Sequence, residues 1–184
     1  MSQRKLPLLF LGLTIGLLIL DQLTKVWARN AAEMIEGRTF LNLWPGVFEL
    51  KLVFNKGIAF GMFQGGGVVL TPIAIIIAVC AGYYSFRNPK LPKIVHVTMA
   101  LLASGAIGNL IDRIWMGKVT DMFWIRVINF PVFNVADICI TAAGFLMAYM
   151  TLRDAFRPTQ ESDQQVEAPV QETGDSETPE SPYA

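Results

Sequence analysis

The chain has 184 residues, 53% of them hydrophobic and 16% charged, and a formal net charge of zero. A mean hydropathy of +0.43 is too apolar for a soluble domain of this size and points to a bilayer protein. Nothing in the balance suggests a nucleic-acid partner.

The first apolar run, from Leu6 to about Ala28, follows the bases Arg4 and Lys5. It has the look of a signal peptide's hydrophobic stretch. No small-residue cleavage site follows it, and Asp21-Gln22-Leu23-Thr24-Lys25-Val26-Trp27 continues the helical pattern, so it is read as a retained span. The segment from Arg29 to Gly67 comes next. Ala28 to Ile35 is expected to form a short interfacial helix. After the turn signal Pro45-Gly46, Phe48-Glu49-Leu50-Lys51-Leu52-Val53-Phe54 alternates with period two, which predicts a half-buried strand. A second extended stretch is expected from Ile58 to Phe63, and Gly65-Gly66-Gly67 is a flexible join. These predict a small sheet resting on the membrane's outer face.

Three more spans follow: Val68 to Phe86, Ile94 to about Trp115, and Val132 to Leu152. Each is close to the roughly 20 residues that a hydrocarbon core requires. Cys80 and Cys139 fall inside the second and fourth and are read as core-packing residues. One histidine, His96, and no cysteine cluster make a zinc site improbable, and no cofactor is implied. From Thr159 to Ala184 there are seven acids and no Lys or Arg, a composition expected to stay disordered. The rest of the chain holds fifteen bases and eight acids. The fold class is therefore an α-helical polytopic membrane protein with a small extracytoplasmic β element and an acidic tail. It divides into a membrane domain, 1–158, and the tail, 159–184. Arg4, Lys5, Arg87, Lys90, Lys93, Arg153 and Arg157 lie on one side in short segments. That predicts both termini in the cytoplasm.

Polar residues gather at the opposite level. Asp121 lies in Val119-Thr120-Asp121-Met122, and Asp137 closes Phe133-Asn134-Val135-Ala136-Asp137 at the start of the last span. An aspartate at helix depth costs about 2.5 to 3.5 kcal/mol, so an intramembrane carboxylate is a functional hypothesis by default. Asn109, Asp112 and Arg113 share a helix face by their spacing, with Gly105 and Gly108 one turn earlier. Asp112 and Arg113 are read either as a tie to a neighbouring helix or as part of the site, and the glycines as packing residues. Asp21 and Lys25, at i and i+4, are ordered for an ion pair. Two carboxylates held close cannot both ionise and so share a proton, which suits one as base toward water and the other as acid toward a carbonyl. Proton relays and ion-coupled transporters also use such carboxylates, near the midplane between repeated halves. No repeat is visible here.

The ordered set Asp21-Gln22-Leu23-Thr24-Lys25, Asn55-Lys56-Gly57-Ile58-Ala59-Phe60, Gly105 to Arg113, Val119-Thr120-Asp121 and Phe133 to Asp137 resembles the motifs of the prolipoprotein signal peptidases (signal peptidase II). The resemblance implies a four-span aspartic endopeptidase of the bacterial inner membrane. Its substrates would be diacylglyceryl-modified prolipoproteins, cut before the lipidated cysteine at the outer leaflet. It implies Asp121 and Asp137 as the catalytic pair. Asn55, Gly57, Asn109, Arg113 and Asn134 would lie around them toward substrate, membrane phospholipid or the cyclic peptide antibiotics that inhibit the family. Asp21, Lys25 and Asp112, with Gly105 and Gly108, would support the site. Ile58, where many members have alanine, and Met122, where an aromatic or aliphatic residue is frequent, depart from the pattern without touching the pair. The loop from Gly57 to Gly61 is expected to act as a lid.

Overall fold

A computed structural model describes residues 6–57 and 67–156. Four helices are long and apolar enough to cross a membrane: α1 (Leu6–Ala31), α2 (Gly67–Arg87), α3 (Lys93–Met116) and α4 (Val135–Ala155). Three strands, β1 (Thr39–Trp44), β2 (Phe48–Asn55) and β3 (Val119–Ile125), form an antiparallel sheet in the order β1-β2-β3. The expected Ile58–Phe63 stretch and the acidic tail lie outside the described residues.

Helix α3 is the centre of the bundle, packed against α1, α2 and α4. Its buried residues are mostly small, with Ala100, Ala103, Ser104, Gly105, Ala106 and Gly108 among them. Small side chains let membrane helices come close where no hydrophobic force drives them together. The contacts are tight: a Cβ on Gly105 would sit 2.5 Å from the carbonyl oxygen of Ala136 in α4, and one on Gly108 2.5 Å from the Asp21 carboxylate in α1. Gly105→Ala is expected to push α4 away and cost about 1–3 kcal/mol, read as a lowered unfolding midpoint in detergent. A midpoint equal to wild type would show that the α3–α4 contact yields freely.

On α1 the buried residues Phe10, Thr14, Asp21, Lys25 and Ala28 follow the helical period and form one stripe. Leu8, Ile15, Ile19 and Leu23 on the remaining surface are exposed, as suits a lipid-facing side.

Several boundaries differ from the sequence reading. No separate helix covers 28–35. Instead α1 runs on to Ala31, and the chain then reverses through Glu33 and Met34, both with positive φ. Ala32 is fully buried against Leu52 and Phe54 of β2 and pins that reversal. Helix α4 starts at Val135 rather than Val132, because Asn134 caps it and Phe133 is drawn into a bridge with Phe123. Strand β2 is as expected, but it continues into a sheet with β3, which was not foreseen. Glu49, on the polar side of the alternation, is buried. Cys139 is buried as expected, whereas Cys80 is exposed and so is no core residue. His96 is buried near the start of α3, its Nδ1 2.7 Å from Ser85 Oγ of α2.

Candidate active site

Asn134 organises the site. Its side chain accepts from the Asp137 backbone N–H at 3.0 Å while Asp137 Oδ2 accepts from the Asn134 N–H at 3.1 Å. This reciprocal capping box holds Asp137 in the first turn of α4, where the helix dipole favours a carboxylate. The Asn134 amide also donates to Asp121 Oδ1 at 2.6 Å and to Asn109 Oδ1 at 3.1 Å. Asn109 in turn donates to Asp137 Oδ1 at 2.8 Å. Two amide side chains thus join the carboxylates of β3 and α4. The sheet sets the position of Asp121, which pairs with Val53 while Val119 pairs with Asn55. Asn55 therefore shares a sheet face with Asp121, one diagonal away.

Behind this lies a second, largely buried set. Lys25 Nζ is 2.9 Å from Asp21 and 3.7 Å from Asp112, and it donates to Asn109 Oδ1 at 3.0 Å and to the Gly108 carbonyl at 3.2 Å. Asp21 also accepts from the Ala136 N–H at 2.9 Å, an otherwise unpaired donor in the first turn of α4. Asp112 accepts from the Thr120 N–H at 2.8 Å. Arg29, absent from the residues singled out in the sequence, lies 3.5 Å from Asp112 and donates to Thr120 Oγ1 at 2.8 Å. It lies four residues after Lys25, one helical turn on, and that spacing was the available signal. These bonds tie α1, α3 and β3 together directly behind Asp121.

A cavity of about 630 Å³ opens in front of the two aspartates. Asn55, Gly57, Asn109, Arg113, Asp121 and Asp137 supply its polar wall, and Leu70, Ile73 and Ile77 of α2 an apolar one. Asp121 is only 1% exposed, whereas Asp137 is partly open to the cavity. Burial, and then the negative charge of Asp137, push the Asp121 carboxyl up to about 7, against the opposing bonds from Asn134 and Asn55.

The expected residues therefore fall into two layers. Arg113 faces the cavity, while Asp112, its neighbour, turns to α1 and β3, so the two do not act as one unit. Asp21, Lys25, Gly105 and Gly108 lie between helices, outside the cavity lining. Among the described residues no group of three or more His, Cys, Asp or Glu side chains could hold a metal ion.

The fold and the site define a multi-pass membrane protein with two joined carboxylates at one end of its helices, facing a largely apolar cavity. The family model described as signal peptidase (SPase) II matches residues 13–153, and the chain belongs to that peptidase family. It is similar to the lipoprotein signal peptidase of Gloeobacter violaceus, 40% identical over 158 residues that cover 84% of this chain and 90% of the relative. The lipoprotein signal peptidase of Clostridium acetobutylicum is 31% identical over 148 residues, 78% of this chain and 94% of the relative. A solved bacterial membrane enzyme, determined by the in meso method at 2.3 Å resolution, superposes with a TM-score of 0.71 at 27% identity. The match covers 86% of this chain and 94% of that one.

Proposed function

We propose that this peptidase is an aspartic endopeptidase in which Asp137 and Asp121 activate water to remove the signal peptide from diacylglyceryl-modified prolipoproteins. The observation that carries the reading is the joined carboxylate pair at the wall of a largely apolar cavity. Asp137, partly open to the cavity, takes a proton from a water molecule as that water attacks the scissile carbonyl. Asp121, out of solvent and holding the shared proton, delivers it to the carbonyl oxygen, and a neutral tetrahedral gem-diol forms. Collapse of that intermediate returns a proton from one hydroxyl to Asp121 and passes the proton held by Asp137 to the leaving nitrogen as the C–N bond breaks.

Asn109 and Asn134 hold the pair, Asn55 and Asn109 bring amide groups to the cavity wall toward the bound chain, and Gly57 lets its backbone approach closely. Arg113, in the same wall, supplies a planar cation suited to a lipid phosphate or a peptide carbonyl. Cyclic peptide antibiotics of the kind that inhibit the family would occupy the same cavity. The basic residues Arg87, Lys90, Lys93 and Arg153 at the far ends of the helices support a cytoplasmic location for that side and for both termini. The site then faces the outer leaflet of the bacterial cytoplasmic membrane. A substrate anchored there by its acyl chains presents its scissile bond at a fixed depth, which is much of the specificity. Membership in a peptidase family leaves the ion-coupled transporter reading without support.

The deciding experiment is cleavage, in liposomes, of a precursor peptide bearing a diacylglyceryl cysteine beside the same peptide without the lipid. Cutting of the lipidated peptide alone, immediately before its cysteine, is expected. Equal cutting of both would remove the lipid requirement, and no cutting by folded protein would overturn the reading.

The raised Asp121 carboxyl gives a pH signature. Turnover is expected to fall as pH rises through about 7, because the proton shared by the pair is then lost. A rate that keeps rising to pH 9 would contradict Asp121 as the acid.

A further inference from the structure

Asp21, Glu49, Asp112 and Asp121 are the buried carboxylates among the described residues, and Glu49 alone stands apart from the network just described. Its side chain is 3% exposed, although the strand alternation places it on the polar side. A buried carboxylate is costly unless it is paired and hydrogen-bonded. Here Oε1 accepts from Arg126 Nη1 at 2.7 Å and from the Gly46 N–H, in the β1–β2 turn, at 3.1 Å. The Arg126 guanidinium holds the carboxyl below the usual carboxylate range. The Arg126 N–H also donates to the Val47 carbonyl of that turn, at 2.8 Å. Two of these bonds therefore fasten the hairpin to one point of the chain, and the third, from Gly46, ties Glu49 to the hairpin's own turn.

That point is where the chain leaves β3. From Arg126 it makes a short 3-10 turn, reverses at Asn129 with φ 47°, and supplies Phe130, Pro131, Val132 and Phe133 to the cavity wall before Asn134 caps α4. At its far end the segment is held by the Phe133–Phe123 backbone bonds and the cap. At its near end the side-chain anchor is Glu49–Arg126. Asp121 and Asp137 are held by other groups, Asn109 and Asn134 in front of Lys25.

We infer that Glu49 and Arg126 form a latch that sets the position of the 126–133 wall segment against bound substrate, with Glu49 as a positioning residue remote from the reacting atoms. The inference rests on the peptidase reading for its kinetic consequence alone. Because the latch holds the apolar wall and leaves the carboxylate pair untouched, releasing it weakens substrate binding in ground state and transition state alike. KM rises while kcat is preserved.

The test uses the full chain in liposomes with the lipidated peptide, and compares Glu49→Gln, Arg126→Gln, the double variant and Arg126→Lys. Each Gln variant is expected to raise KM about three- to tenfold with kcat within about twofold, the range for a charged hydrogen bond with one half-exposed partner. The double variant should be no worse than the poorer single one, since both remove one interaction. Arg126→Lys should stay close to wild type. Hydrogen exchange should quicken at 127–130 and stay unchanged in α3, a readout that needs no substrate. Unchanged KM and unchanged exchange in folded variants would overturn the latch, as would additive effects or a fall in kcat alone. If Glu49→Gln fails to fold, Arg126→Gln carries the same test, because that side chain is half exposed. Wild type that cuts nothing but shows quickened exchange in the variants would overturn the peptidase reading and keep the latch.

Discussion

Asp137→Asn and Asp121→Asn are each expected to lower turnover at least about a thousand-fold, within the range of a general acid or base removed from its transition state. Neither should unfold the protein. In Asp137→Asn the side-chain oxygen still accepts from Asn109, and one of the two N–H bonds to the carboxylate is lost. In Asp121→Asn the oxygen still accepts from Asn134. The second substitution carries a further signature. Burial raises the Asp121 carboxyl in the folded protein above its unfolded value, so between about pH 4 and 7 the folded state binds more protons than the unfolded one. The stability due to this protonation is fully present below the unfolded pKa and is lost as pH rises through about 7. Asp121→Asn, neutral throughout, should therefore be more stable than wild type at pH 8 and nearly equal to it at pH 4. Thermal unfolding in detergent at the two pH values, beside peptide cleavage, checks both halves. An active Asn variant, or one less stable than wild type at pH 8, would contradict the assignment of Asp121.

Lys25→Met is expected to have the second largest effect, and on folding before activity. Methionine fills much of the same volume but leaves Asp21 and Asp112 buried without their shared cation. Breaking a buried ion cluster by removing one partner costs about 3–5 kcal/mol, a large share of a typical protein's stability. The yield of folded protein and its unfolding midpoint should both drop. Adding Asp21→Asn should restore part of the loss, because Asp21 is the carboxylate left without a cation, Asp112 keeping Arg29. A Lys25→Met protein with a wild-type midpoint would mean that the cluster contributes little, and that Asn134 and Asp137 suffice to hold Asn109.

Much of the architecture is legible from hydropathy. The thickness of a hydrocarbon core imposes a length on each span, and α2 and α3 end within a residue or so of the positions that length predicts. Hydropathy alone starts α4 three residues early, although Asn134 and Asp137 carry the spacing of a capping box. Strand β3 is not legible in this way. Val119 to Ile125 is rich in β-branched and aromatic residues, but its first four residues are buried, and no alternation marks a strand covered on both faces.

The residues of the candidate site were legible by type and depth, since carboxylates and amides at a membrane level are expensive enough to need a reason. Their division of labour was not. Asp112 and Arg113 are adjacent in sequence, yet one serves the buried ion cluster and the other the cavity, because neighbours on a helix point about 100° apart.

By itself the sequence determined that this is a four-span membrane protein with a polar level at one end of its helices. Local composition decides partition into a bilayer, and no distant contact can reverse it. Tertiary structure alone decided that Asn134 joins Asp121 to Asp137, that Lys25 and Arg29 brace them from behind, and that Glu49 turns inward to hold Arg126. Apart from the local Asn134–Asp137 cap, each of these is a bond between segments apart in the chain, set by how closely α3 admits its neighbours at Gly105 and Gly108 and by the register of β2 on β3.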